Sequence, residues 1–137
     1  MLDHVSIPVR DIGRAAAFYE PVLAAVGLRR VKEVGGAIGY GREPGWPMFW
    51  LEPDVHPETG KSARAGLGLH FSFRAKSRAE VHAFHAAALA HGGRDAGAPG
   101  PRPQYSSGFY GAFAFDPDGF KVEAVVREDL RSPGINS

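Results

Sequence analysis

Three side chains far apart in the chain have the chemistry to hold a divalent metal: His4, His70 and Glu123. Each sits in a segment where polar and apolar residues alternate, the pattern of a strand with one buried face. From Asp3 to Val9, the residues His4, Ser6 and Pro8 oppose Val5, Ile7 and Val9. From Leu69 to Arg74, the residues His70, Ser72 and Arg74 oppose Leu69, Phe71 and Phe73. From Phe120 to Val126, the residues Lys121, Glu123 and Val125 oppose Phe120, Val122, Ala124 and Val126. Two imidazoles and one carboxylate from separate strands suit iron, zinc, manganese or nickel, with coordination positions left for water or substrate.

The elements that must position this set occur twice. A shift of 66 positions lays His70 on His4, Ser72 on Ser6, Ala83-Phe84 on Ala17-Phe18, Leu89-Ala90 on Leu23-Ala24 and Gly93 on Gly27. The register runs without a gap through a strand and the helix after it, so the chain reads as two copies of one unit.

In the first copy, Asp11 is placed to cap a helix whose apolar stripe runs through Ile12, Ala15, Tyr19, Leu23 and Val26, with Gly27 at its end. Pro21 is expected to kink or split it. Leu28 to Val34 and Ala37 to Tyr40 follow as strands about a Gly35-Gly36 hairpin, and Met48 to Glu52 as a third. In the second copy, Ser77 and Glu80 form a capping box, and Gly92-Gly93 closes the helix. Ala96 to Gly108, rich in Pro and Gly, reads as a long loop of the kind that carries function. In Phe109 to Phe115, small side chains oppose an aromatic face and are expected to leave room for a ligand. Asp116-Pro117-Asp118-Gly119 then turns the chain into its last strand.

The expected architecture is α+β: two tandem βαβββ modules forming an eight-stranded, cup-shaped sheet with helices on its outer face. The 137 residues form a single domain, with module one at 1–55, a linker at 56–66, module two at 67–127 and a tail at 128–137. Sixteen basic against fifteen acidic residues, with no basic run, argue against nucleic acid or an anionic membrane as partner. Cysteine is absent, which excludes disulfides, thiolate nucleophiles and Cys-held metal clusters. The chain passes from Met1 directly into a strand pattern without a leader-like or membrane-length apolar run, so the cytoplasm is the expected location.

The opening Asp3-His4-Val5, the helix residues Ala17-Phe18-Tyr19 with Leu23 and Gly27, the second His70, and Asp116-Pro117-Asp118-Gly119 before Val122-Glu123 together resemble the vicinal oxygen chelate superfamily. That superfamily includes glyoxalase I, extradiol dioxygenases and the fosfomycin- and bleomycin-resistance proteins, and the resemblance covers nearly the whole chain. It implies a metal in the cup, held by His4, His70 and Glu123, which match the family's three ligand positions. It also implies a homodimer, since modules commonly pair between chains. Glyoxalase-type members add a fourth ligand from the last strand of module one. Glu52 occupies that strand with the right parity, as fourth ligand or catalytic base, or else it is a solvated strand end with Trp50 filling the place.

The remaining candidates are Tyr105 and Tyr110, as hydrogen-bond donors to a substrate oxygen, and Arg102, as partner for an anionic substrate. His56 in the linker reaches the cup mouth or solvent, and His82, His85 and His91 on the second helix are assigned no catalytic role. The expected activity is lyase, isomerase or dioxygenase chemistry on a small organic substrate whose neighbouring oxygens chelate the metal. The competing expectation is a metal-free protein that sequesters an aromatic or cationic compound on Trp50, Tyr105 and Tyr110.

Overall fold

The computed structural model describes residues 1–42, 45–54 and 69–130. The expected linker, with His56, and the last residues of the tail lie outside them. The two expected βαβββ units are present. Module one contains β1 (Val5–Val9), α1 (Ile12–Ala24), β2 (Arg29–Val34), β3 (Ala37–Gly41) and β4 (Pro47–Pro53). Module two contains β5 (His70–Arg74), α2 (Arg78–Ala90), β6 (Arg94–Pro101), β7 (Phe109–Phe115) and β8 (Lys121–Arg127), followed by a single 3₁₀ turn at Glu128–Leu130.

The strands divide into two four-stranded sheets, ordered β1-β4-β3-β2 and β5-β8-β7-β6. In each, the first strand runs parallel to the last strand of its own module, and among the described residues its other edge is unpaired. The eight strands therefore do not join into one continuous hydrogen-bonded sheet. Equivalent order in the two sheets is what the sequence repeat requires, because one pattern of apolar positions can specify only one strand register.

Local chemistry explains the element ends. The Asp11 side chain accepts from the Arg14 amide at 3.0 Å, and Ser77 Oγ accepts from the Glu80 amide at 3.2 Å. Gly35 and Gly36, with φ of 56° and 85°, make the two-residue β2–β3 hairpin that residues with a Cβ resist. Pro21 does not split α1, which runs unbroken through it. The fully buried Phe18, Tyr19, Val22 and Leu23 on both sides of the proline hold that segment in place against the missing backbone donor.

Both helices and the helix-facing sides of both sheets share one apolar core. Where the modules meet, the Phe49 ring lies 5.1 Å from Tyr19, 5.8 Å from Phe71 and 5.3 Å from Phe73. At the end of α2, a Cβ on Gly93 would fall 2.6 Å from Phe18 and under 3 Å from two backbone carbonyls, so the modules close only over glycine.

Two expectations are corrected here. Ala96–Pro101 is not loop but most of β6, an edge strand with bulges between Asp95 and Gly97 and between Gly97 and Gly100. Pro99 and Pro101 fit because an edge strand can do without some of its amide donors. The small residues of β7 do not border a ligand cavity. Ala112 and Ala114 are fully buried in the common core, where their size lets α2 approach the sheet. The aromatic Phe113 is on the other face, opposite Glu123 in the β7–β8 register.

Candidate functional site

β5 and β8 lie side by side with His70 opposite Lys121 and Ser72 opposite Glu123. Because alternate residues share a face, this register gathers His70, Ser72, Lys121 and Glu123 on the side of module two away from α2. Glu123, on a central strand, is only 3% exposed. Its Oε1 lies 3.5 Å from His70 Nε2, and Ser72 stands opposite it in the β5–β8 register. Its Oε2 is buried without a hydrogen-bond partner, and it faces the space above Gly111, where an added Cβ would come within 3.4 Å of it. Burial raises the Glu123 pKa above the ordinary carboxylate range, although Ser72, His70 and Lys121 pull in the other direction.

Beside this pair is a cavity of about 330 Å³ between the open edges of β1 and β5. His4, His70 and Ser72 line it together with Phe49, Phe71 and Phe73, so the two histidines of the repeat open into one space. His4 itself is exposed, with Nδ1 2.7 Å from Asp3 Oδ2. Among the described residues, no three His, Cys, Asp or Glu side chains stand close enough together to hold a metal ion. The structure thus pairs His70 with Glu123 and brings His4 to the same cavity without drawing it into a three-residue group.

The other candidates scatter. Trp50 and Glu52 share one face of β4, but neither lines the cavity. The Trp50 ring covers Gly39, where a Cβ would come within 3.0 Å of it, and Glu52 stands half-buried opposite Pro8. Tyr105 is 61% exposed, with its ring 5.0 Å from Phe109. Arg102 gives Nη1 to the Gly100 and Pro101 carbonyls and Nη2 to Ala98, which holds its guanidinium over the Phe113 ring. Tyr110 faces α2, where its hydroxyl is 2.6 Å from His82 Nε2 and its ring lies under Arg78. Its place beside Ala112 and Ala114 puts it on the opposite side of β7 from Glu123.

Sequence reasoning missed Ser72 as the partner of Glu123, and Phe113 and Lys121 as its neighbours. The signal was present in the shared parity of His70 with Ser72 and of Lys121 with Glu123.

Residues 1–124 match the Glyoxalase/Bleomycin resistance protein/Dioxygenase superfamily. The chain belongs to this superfamily. A glyoxalase/bleomycin resistance protein from Albidiferax ferrireducens T118 is similar over 91% of this chain and 98% of its own, with 31% identity and a TM-score of 0.80. Two more distant structures share the fold of the glyoxalase superfamily. A glyoxalase-related enzyme from Fulvimarina pelagi is 17% identical, covering 100% of this chain and 95% of its own, with a TM-score of 0.74. A lactoylglutathione lyase from Agrobacterium tumefaciens is 22% identical over 96% and 97% of the two chains, with a TM-score of 0.64. Nothing among curated proteins matches the chain. One such fold supports several chemistries, so the superfamily gives the scaffold and the side chains must supply the reaction.

Proposed function

We propose that the protein is a metal-dependent enzyme acting on a small organic molecule through two neighbouring oxygens. The observation that carries this reading is the buried Glu123 carboxylate, whose Oε2 has no partner while Oε1 faces His70. An unpaired buried carboxylate oxygen is unfavourable, and a cation beside an imidazole relieves it. The donor types suit a divalent ion: Glu123 and His70 would hold it, and His4, which opens into the same cavity as His70, would join them only by moving closer. Such an ion, when bound, supplies Lewis-acid stabilisation of charge developing on a substrate oxygen.

The chain's own residues do the rest. Ser72, opposite Glu123 in the β5–β8 register, is placed to hold its carboxylate. Phe49, Phe71 and Phe73 give the cavity an apolar wall that excludes water from a bound carbon skeleton. Glu52 and Tyr105 are proton-carrying side chains within the same module set but outside the cavity lining, so they act only on a substrate that extends beyond it.

The protein is further proposed to be a homodimer, with a second copy seated along the unpaired edges of β1 and β5. Exposed Leu2, Met48 and Leu69 flank these edges. Light scattering at micromolar concentration checks this, and a monomeric mass contradicts it.

The test of the metal reading is elemental analysis of protein purified without chelator. Near-stoichiometric metal in the wild type, lost in Glu123→Ala and His70→Ala and weakened in His4→Ala, supports it. No metal under any loading condition sinks it. The apolar cavity wall favours one alternative, sequestration of an aromatic compound without metal. Tight binding of a planar compound by chelator-treated protein supports that reading.

A further inference from the structure

We propose that the open face of module two carries an anion subsite next to the His70–Glu123 pair. In it, Lys121, held over the Phe113 ring, takes the carboxylate of a small organic acid. This names the substrate class of the site proposed above and rests on that site being the functional one.

On this face β5, β7 and β8 contribute one acid, Glu123, against the cations Arg74, Lys121 and Arg127. The phenylalanines of β7 are covered by cations: Lys121 lies 4.6 Å and Arg102 5.8 Å from the Phe113 centroid, Arg127 5.4 Å from Phe109, and Arg94 5.4 Å from Phe115. A cationic ligand therefore finds the aromatic faces occupied and meets like charge. An anionic ligand meets an unbalanced positive field.

These cations differ in the donors they keep for a ligand. Arg102 gives Nη1 and Nη2 to three backbone carbonyls, and the Arg127 Nε, 3.7 Å from Asp129 and without a hydrogen bond, is buried out of a ligand's reach. Arg74 stands four positions along β5 from His70, and Lys121, with no carboxylate within ion-pair distance among the described residues, keeps ammonium donors for a ligand beside His70. Lys121 is opposite His70 in the β5–β8 register, one strand spacing of about 4.8 Å across the sheet. The His70 and Phe113 rings are 6.2 Å apart. A carboxylate on Lys121 thus leaves the next oxygen of a small acid beside His70 and Glu123.

Calorimetric titration of the full chain, metal-loaded and chelator-treated, tests this with pyruvate and 2-hydroxybenzoate, each against its own amide. The expected result is that the acids bind at least about tenfold tighter than the amides in both preparations, as a charge-assisted hydrogen bond requires. Lys121→Gln should erase that preference and Lys121→Arg should keep it, each with an unchanged circular dichroism spectrum. Equal binding of acid and amide, no binding of either acid at millimolar concentration, or an equal loss of acid and amide in Lys121→Gln overturns the proposal. Acid binding that disappears with the metal and ignores Lys121→Gln also overturns it, while leaving the metal reading intact. Preference for the acid in protein that never retains metal does the reverse.

Discussion

The Tyr19 hydroxyl, from the middle of α1, donates at 2.5 Å to Oδ2 of Asp116, in the turn that leads into β8. Oδ1 of the same carboxylate accepts from the Asp118 and Phe120 amides, so Asp116 shapes the turn and ties it to module one. Both groups are almost wholly buried, and burial is the first cause that lifts both pKa values above their ordinary ranges. Tyr19→Phe removes the only side-chain donor to Oδ2 among the described residues. It is expected to cost about 1–3 kcal/mol in urea denaturation, the range for orphaning a buried acceptor. A loss within experimental error contradicts this role for the bond.

Glu123 gives a prediction with a definite sign. Its folded pKa is raised, chiefly by burial, so the folded chain holds this proton more tightly than the unfolded chain. The resulting stabilisation is complete below the ordinary carboxylate pKa and is lost as pH rises through the elevated folded value. In chelator-treated protein, Glu123→Gln is expected to be more stable than wild type at neutral pH. It should also show a flatter fall in stability on the alkaline side of the ordinary carboxylate range. Urea midpoints measured against pH decide the matter, and parallel profiles for the two proteins refute it.

Gly93 is a steric hinge point of the fold rather than a flexible one. Its ideal Cβ would meet Phe18 at 2.6 Å, the Ala88 carbonyl at 2.7 Å and the Phe115 carbonyl at 2.8 Å, and two of these are backbone that cannot swing aside. Gly93→Ala is expected to destabilise by about 1–3 kcal/mol, as overpacking of a closed core does. The thermal midpoint reports it, and an unchanged midpoint would mean that α1 and α2 separate more easily than their packing indicates.

The sequence was legible where a side chain's role follows from neighbours one or two positions away. Alternation placed His70 with Ser72 and Lys121 with Glu123, and the repeat placed His4 as the counterpart of His70. Caps and turns at Asp11, Ser77 and Gly35-Gly36 were equally local. What failed were inferences about what lies beyond a face. Ala112 and Ala114 signalled available space, but α2 fills it, and Tyr110 went with them. Pro99 and Pro101 signalled loop, but an edge position admits them to β6. The Tyr19–Asp116 bond spans 97 residues of sequence, and no pattern within either segment announces it. The same holds for the distance that keeps His4 out of a three-residue group with His70 and Glu123.

The central claim, that a cation at Glu123 and His70 accepts two neighbouring oxygens, is tested most directly by cobalt(II) absorption spectroscopy. The protein is loaded with cobalt and titrated with acetohydroxamate, which offers two adjacent oxygens, and with acetamide, which offers one. The predicted result is a saturable change in the visible cobalt bands with acetohydroxamate alone, absent in Glu123→Ala and His70→Ala. Identical spectra for wild type and both variants, or no response of the wild-type bands to acetohydroxamate, would contradict it.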